Sequence, residues 1–198
     1  MESHENRLIQ RARTGDATAF RELVESCQQS VFRMALELTG DWDDADELSQ
    51  QVFIKAYHAL PRFRGEAKLM SWLYRILMNT YIDHTRRMRA AGGSSPTTDV
   101  EGTAQTAMIA TNEAADNPEA TATAHHIQDH INNALQNLAP QQRSVFIMRH
   151  YHDLPLKEIA GIMGLSIGTV KSQLFRAVRR MQKELSFYRA ELGLEDLS

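Results

Sequence analysis

Apolar residues recur at spacings of three and four along most of the chain and alternate nowhere, a pattern that predicts amphipathic helices and no strands. The longest early stripe is Phe20, Leu23, Val24, Cys27, Val31, Ala35 and Leu38, with Asp16 placed to cap its helix and Gly40 to end it. A shorter polar helix is expected before it, from Glu5 to Thr14. Asp41 caps a third helix with the stripe Ala45, Leu48, Val52, Ala56 and Leu60, which Pro61 stops. A fourth runs from about Leu69 to Met88 with Trp72, Leu73, Ile76, Leu77 and Tyr81 inward. Helix resumes near His125 with Ile127, Ile131, Leu135 and Leu138, breaks at Pro140, and continues through Val145, Phe146, Met148 and Tyr151.

The stretch Leu154 to Lys183, LPLKEIAGIMGLSIGTVKSQLFRAVRRMQK, holds two further helices with almost nothing between them. Ile159, Ala160, Met163 and Leu165 share one face of a short helix begun at Pro155. Gly164 can take the positive φ of a tight turn, and Ser166 then caps a second helix whose inner stripe is Ile167, Val170, Leu174 and Val178. Two helices joined by a short turn containing Gly form a helix-turn-helix. The outer face of the second helix carries Lys171, Ser172, Phe175, Arg176, Arg179, Arg180 and Lys183. From Ser166 to Lys183 there are five Lys or Arg and no Asp or Glu, a charge pattern suited to DNA phosphates lining a major groove.

Ala90 to Ala124 breaks the periodicity. It is rich in Ala, Thr, Gly and Ser, has no Lys or Arg, and takes its only charges from Asp99, Glu101, Glu113, Asp116 and Glu119. Such a segment buries too little apolar surface to offset ordering its backbone, so it reads as a flexible linker. The expected architecture is therefore all-α: a helical domain over 1–89, an acidic linker over 90–124 and a smaller helical domain over 125–198.

Charge is segregated within the first domain. Met1 to Pro61 carries six basic residues against eleven acidic ones, whereas Arg62 to Arg89 carries seven basic against Glu66 and Asp83. The net charge of −3 argues against indiscriminate coating of nucleic acid, so the basic segments are local devices. Asp43, Asp44, Asp46 and Glu47 crowd a helix start, where carboxylates suit the dipole better than they suit a cation. Cys27 is alone, which rules out an intrachain disulfide and a cysteine-built zinc site. His126 and His130 lie one turn apart with His150 and His152 nearby. No HExxH pattern accompanies them, and they read as solvated helix-end residues without a metal. No phosphate-binding loop, nucleophile elbow or other catalytic constellation is present, so neither a cofactor nor an enzyme activity is expected. No apolar run approaches the ~20 residues of a membrane span and the first residues are too polar for a signal peptide, so a cytoplasmic protein is expected.

Taken together, DADELSQQVFIKAYHAL, FRGEAKLMSWLYRILMN and LAPQQRSVFIMRHYHDLPLKEIAGIMGLSIGTVKSQLFRA resemble the sigma-70 family of bacterial sigma factors. The match is to the small extracytoplasmic-function (ECF) group, which keeps only domains two and four. The resemblance implies a transcription initiation factor that brings core RNA polymerase to promoters and opens the DNA, held inactive by an anti-sigma partner until a stress signal arrives. It places polymerase contacts on Asp44, Glu47, Leu48, Gln51 and Lys55, facing the clamp coiled coil of the beta-prime subunit, and sends the C-terminal domain to the beta flap. Minus-ten recognition and melting fall to Arg62, Phe63, Arg64, Lys68, Arg75 and Asn79, with Phe63 and Arg side chains stacking on unpaired bases. Phe63 can also be read as a hydrophobic plug beneath its loop. Minus-thirty-five recognition falls to Ser166, Thr169, Lys171, Ser172, Phe175, Arg176, Arg179 and Arg180. Housekeeping members of the family carry paired tryptophans as a melting wedge, but here Trp72 is followed by Leu73, so Trp72 is expected in the core.

One alternative is a free-standing helix-turn-helix regulator whose N-terminal helices sense a ligand or dimerise. It predicts a dimer on palindromic DNA. The sigma reading predicts a monomer with little DNA affinity until polymerase is added.

Overall fold

The predicted caps are made, and they set where the helices begin and end. In the computed structural model, which describes residues 4–65, 67–90 and 118–187, helix α1 spans His4–Arg13 and α2 spans Ala17–Thr39. The Asp16 carboxylate accepts from the backbone N–H groups of Thr18 and Ala19 at 3.0 and 3.1 Å. That hydrogen bond from Ala19, with Arg11 beside it, holds Asp16 below the usual carboxylate range. Gly40 ends α2 at φ +74, its N–H donating to Leu36 O at 2.7 Å. A side chain there would also run into Gln136.

Asp41 caps α3, Trp42–Ala59, by accepting from the Asp44 N–H at 2.9 Å. Pro61 does not stop α3 directly. The helix tightens into a 3-10 turn over Leu60–Arg62, and Phe63 N–H closes that turn on Leu60 O at 2.9 Å. Helix α4 covers Leu69–Ala90. Helix α5 spans Pro118–Gln136, so its start precedes the expected position near His125 and the stretch 118–124 is helical. The rest of the expected linker, 91–117, lies outside the described residues. Pro140 begins α6, Pro140–His150, at the first-turn position where its missing N–H costs nothing. Helices α7, Leu156–Met163, and α8, Ile167–Glu184, complete an all-helical chain with no strand among the described residues.

The apolar stripes supply the core almost as read. Leu23, Cys27, Val31, Ala35 and Leu38 of α2, Ala45, Leu48, Val52 and Ala56 of α3, and Leu73, Leu77 and Tyr81 of α4 are buried, while Trp72 packs half-buried against them. Val145, Ile147 and Met148 of α6, Ile159 and Ile162 of α7 and Val170 of α8 belong to the same contiguous cluster. The N-terminal helices and the helix-turn-helix are thus packed together. A second, smaller cluster of Ala134, Leu135, Leu138, Ala177 and Met181 joins α5 to the far end of α8. Ile167 departs from its predicted inward place and is exposed, since it stands at the open end of α8 immediately after the cap.

Candidate nucleic-acid interface

The turn between α7 and α8 is built from local chemistry. Gly164 sits at φ +64 and donates its N–H to Ala160 O, and Leu165 N–H reaches the same carbonyl at 3.0 Å. Ser166 is extended, and its hydroxyl oxygen accepts from the Thr169 N–H at 3.0 Å. The two hydroxyls, Ser166 and Thr169, also bond each other at 2.9 Å. These two residues start the helix and fix its direction. Ser172 likewise donates its hydroxyl to Gly168 O at 3.0 Å.

Helix α8 buries Val170, Ala177 and Met181 and turns the opposite side to solvent. Phe175, 62% exposed, stands on that side with Lys171, Arg176, Arg179, Arg180 and Lys183. The Arg179 guanidinium lies 5.1 Å from the Phe175 ring centroid, which holds the cation at the helix surface. Arg180 is loosely paired, 3.9 Å from Glu184. Phe175, Arg176, Arg179, Arg180, Lys183 and, at its far end, Glu184 line an open depression along the helix.

The second basic region is arranged differently. Arg62, Arg64 and Lys68 are exposed on the loop between α3 and α4, where Gly65 takes φ +73. Arg75 and Asn79, one turn apart on α4, are exposed as well. Phe63, in contrast, is only 6% exposed and packs against Trp72 with ring centroids 4.9 Å apart. The structure places it as the plug under the loop and gives unpaired bases no access to its ring. Burying a phenylalanine is worth ~1.5–3 kcal/mol relative to leaving it in water, which decides its place in the free protein.

On α3 the residues assigned to polymerase also divide. Glu47 is exposed and accepts from Gln51 at 2.7 Å, and Lys55 donates to the Thr80 hydroxyl at 2.9 Å. Leu48 is 3% exposed, so it belongs to the core stripe and offers no docking surface. Asp44 is half-buried with its carboxyl raised above the usual range, first by desolvation and then by Asp41, Glu47 and Asp43, while His84 at 3.9 Å opposes the rise. The outer face of α3 presents instead two side chains that lie outside its apolar stripe, Ile54 at 60% exposure and Tyr57. Their signal in the sequence is that they fall between the stripe positions Val52, Ala56 and Leu60.

Two residues without a sequence signal proved the most connected. Arg143 of α6 is buried and donates to Leu135 O at 2.9 Å, to Leu38 O at 2.7 Å and to the Tyr81 hydroxyl at 3.1 Å, and also reaches Gln136 O and its side-chain oxygen. The ends of α2 and α5 thus point carbonyls at one cation, where helix dipoles favour it. His152, expected in solvent, is instead partly buried between the two halves of the chain. Its Nε2 meets the Glu37 carboxylate at 2.7 Å and its Nδ1 meets the Tyr74 hydroxyl at 3.3 Å. A carboxylate only accepts, so Nε2 donates to Glu37, while Nδ1 and the Tyr74 hydroxyl share the second hydrogen bond. Burial, then the charge of Glu37, pushes the Tyr74 hydroxyl up to about 12.

Residues 23–91 match the family Sigma-70 region 2 and residues 129–181 match Sigma-70, region 4. The RNA polymerase sigma-H factor of Pseudomonas aeruginosa is 31% identical over 93% of this chain and 95% of its own length. The chain belongs to the sigma-70 family. The ECF RNA polymerase sigma-E factor of Escherichia coli is 32% identical over 86% of this sigma factor and 88% of its own length, which places the chain in the ECF group. Among solved structures, the sigma factor RpoE of Bartonella quintana, in complex with the anti-sigma factor NepR, matches with a TM-score of 0.65. That match covers 84% of this chain and 96% of the other at 26% identity. CnrH in complex with the cytosolic domain of CnrY shares the fold at 21% identity and a TM-score of 0.62, over 90% and 95% of the two chains.

Proposed function

We propose that this ECF sigma factor binds core RNA polymerase through the outer face of α3 and reads promoters with two separate basic surfaces. The observation that carries the reading is the exposed face of α8, where every charged side chain from Lys171 to Lys183 is a cation and the one large apolar side chain, Phe175, stands in solvent. Lys171, Phe175 and Arg176 reach minus-thirty-five base edges, while Arg179 and Arg180 hold phosphates. Ser166 and Thr169 position the helix N-terminus, whose free N–H groups suit a phosphate. Arg62, Arg64, Lys68, Arg75 and Asn79 engage the minus-ten region, with Phe63 supporting the loop from beneath. Glu47, Gln51, Ile54, Tyr57 and Lys55 face the clamp coiled coil, and the helix-turn-helix unit meets the beta flap. The chain works in the cytoplasm without a cofactor, and no helix among the described residues is long and apolar enough to cross a membrane. An anti-sigma protein holds it inactive, as the Bartonella relative's complex with NepR suggests by analogy.

Run-off transcription with purified core polymerase on promoters of the same genome tests the reading. Transcription dependent on the factor, with weak DNA binding by the factor alone, is the expected result. Tight binding of a dimer to palindromic DNA without polymerase would replace it with the free-standing regulator.

A further inference from the structure

Helix α8 carries one large side chain that neither the core nor the contacts assigned above have absorbed. Ile167 is 44% exposed in the first turn, directly after the Ser166 cap. Folding does not need it there. Leu165 before the cap and Val170 four residues after it already tie the helix entry to the core, and Ala177 and Met181 continue the buried side of the helix. In the first turn an isoleucine also forms helix less readily than an alanine.

The groups around Ile167 turn back on the helix. Ser166 and Thr169 bond each other through their hydroxyls at 2.9 Å, Ser172 donates its own to Gly168 O at 3.0 Å, and Gly168 has no side chain. What the open end of α8 presents outward is therefore apolar. Residues four apart lie one above the other on a helix, so Ile167 heads a ridge that continues through Lys171, Phe175 and Arg179, all of them exposed. Along this ridge apolar and cationic groups alternate, and the two apolar ones stand ~12 Å apart along the axis. The neighbouring ridge, Gly168, Ser172, Arg176 and Arg180, is exposed too and holds no apolar side chain.

A recognition helix meets base edges with its N-terminal residues. In the major groove the C5 methyl of thymine is the apolar group on offer, and the other base-edge groups are hydrogen-bond donors and acceptors that an isoleucine cannot satisfy. We propose that Ile167 is a specificity-determining residue that reads a thymine methyl in the minus-thirty-five element, an inference that rests on the sigma reading above. It adds to the hydrogen bonding available to Arg176 a readout of a different kind, the exclusion of water between two apolar surfaces. Opposite any other base the same side chain covers a donor or acceptor without replacing its hydrogen bond to water, so the wrong base is penalised as well as the right one favoured. A contact by Phe175 falls ~3–4 base-pair steps away and is separable from this one.

Deoxyuridine is the probe, because it lacks the methyl of thymidine and keeps every hydrogen-bonding group. Holoenzyme binding is measured on a promoter found by the run-off assay, with each thymine of the minus-thirty-five element, on either strand, replaced in turn. At one position the wild-type factor should lose about three- to fivefold in affinity, the worth of burying roughly one methyl group. Ile167→Ala should bind the thymine duplex more weakly by at least a similar factor and no longer distinguish thymine from deoxyuridine at that position. Ile167→Val should keep part of the discrimination there, and Phe175→Ala all of it. Thermal melts of Ile167→Ala followed by circular dichroism should match the wild type, which separates a lost contact from a lost fold. An element with no thymine sensitive to the replacement, or a sensitivity that survives Ile167→Ala or disappears with Phe175→Ala, would overturn the proposal and leave the sigma reading standing. Absence of any factor-dependent transcription or promoter binding would instead bring down the sigma reading, and this inference with it.

Discussion

Phe63 and Phe175 stand in two loop-and-helix regions with similar basic composition, and they meet opposite fates. Around Phe175 the helix has a complete inner stripe of its own, so the ring is surplus to the core and projects among Lys171, Arg176 and Arg179. Around Phe63 the chain makes a 3-10 turn that leaves a gap beneath the loop, and the ring closes it against Trp72 and the core. The difference shows that an aromatic residue beside arginines is not by that fact a base-contacting residue. What decides is whether the local helices already bury enough without it.

The largest expected effect is at Phe63. Phe63→Ala removes a buried ring and should destabilise the N-terminal unit by ~3–5 kcal/mol, read by chemical denaturation followed with circular dichroism. Phe175→Ala should change stability by no more than about 0.5 kcal/mol, because the ring it removes is in water. A sharper version uses Phe63→Leu, which keeps most of the volume and loses the stacking surface. Promoter opening unchanged by Phe63→Leu supports the plug; opening lost on duplex but rescued on a template mismatched across the minus-ten region would show that the ring leaves the core to hold a base.

The next effects lie on α8. Arg176→Ala should cost ~1–3 kcal/mol in holoenzyme binding to the preferred minus-thirty-five sequence and relax preference at one position. A panel of single-base variants reads this directly, and equal weakening of every variant would move Arg176 to the phosphate contacts. Ser166→Ala removes the cap on the Thr169 N–H and should cost ~1 kcal/mol of stability in thermal melts, with base preference unchanged. The smallest effect is expected at Arg179 or Arg180. Replacing either should weaken all promoters alike and lower the slope of log affinity against log salt by about one unit, measured as a salt titration of holoenzyme binding. Together these test whether α8 reads DNA from its surface while the aromatic residue of the loop after α3 stays structural.

Much of the molecule was legible in the amino-acid order because its signals are local. Asp16, Asp41 and Ser166 satisfy N–H groups two or three residues away, Gly40 and Gly164 take left-handed backbone angles at helix ends, and the stripes of α2, α3 and α4 follow from helical period alone. The one-signed outer face of α8 and the family resemblance needed nothing more. What the tertiary structure decided has long-range partners. Phe63 and Leu48 went inward because burial outweighed any surface role available in the free chain. Ile54 and Tyr57 stayed outside because the α3 stripe was already filled. Arg143 finds Leu38 across 105 residues and His152 finds Glu37 across 115, and neither residue carries a periodicity or spacing that marks it. A cap is chosen by its neighbours in sequence, whereas a buried polar group is chosen by whichever carbonyls and carboxylates the packed helices bring to it, and only the folded chain assembles those.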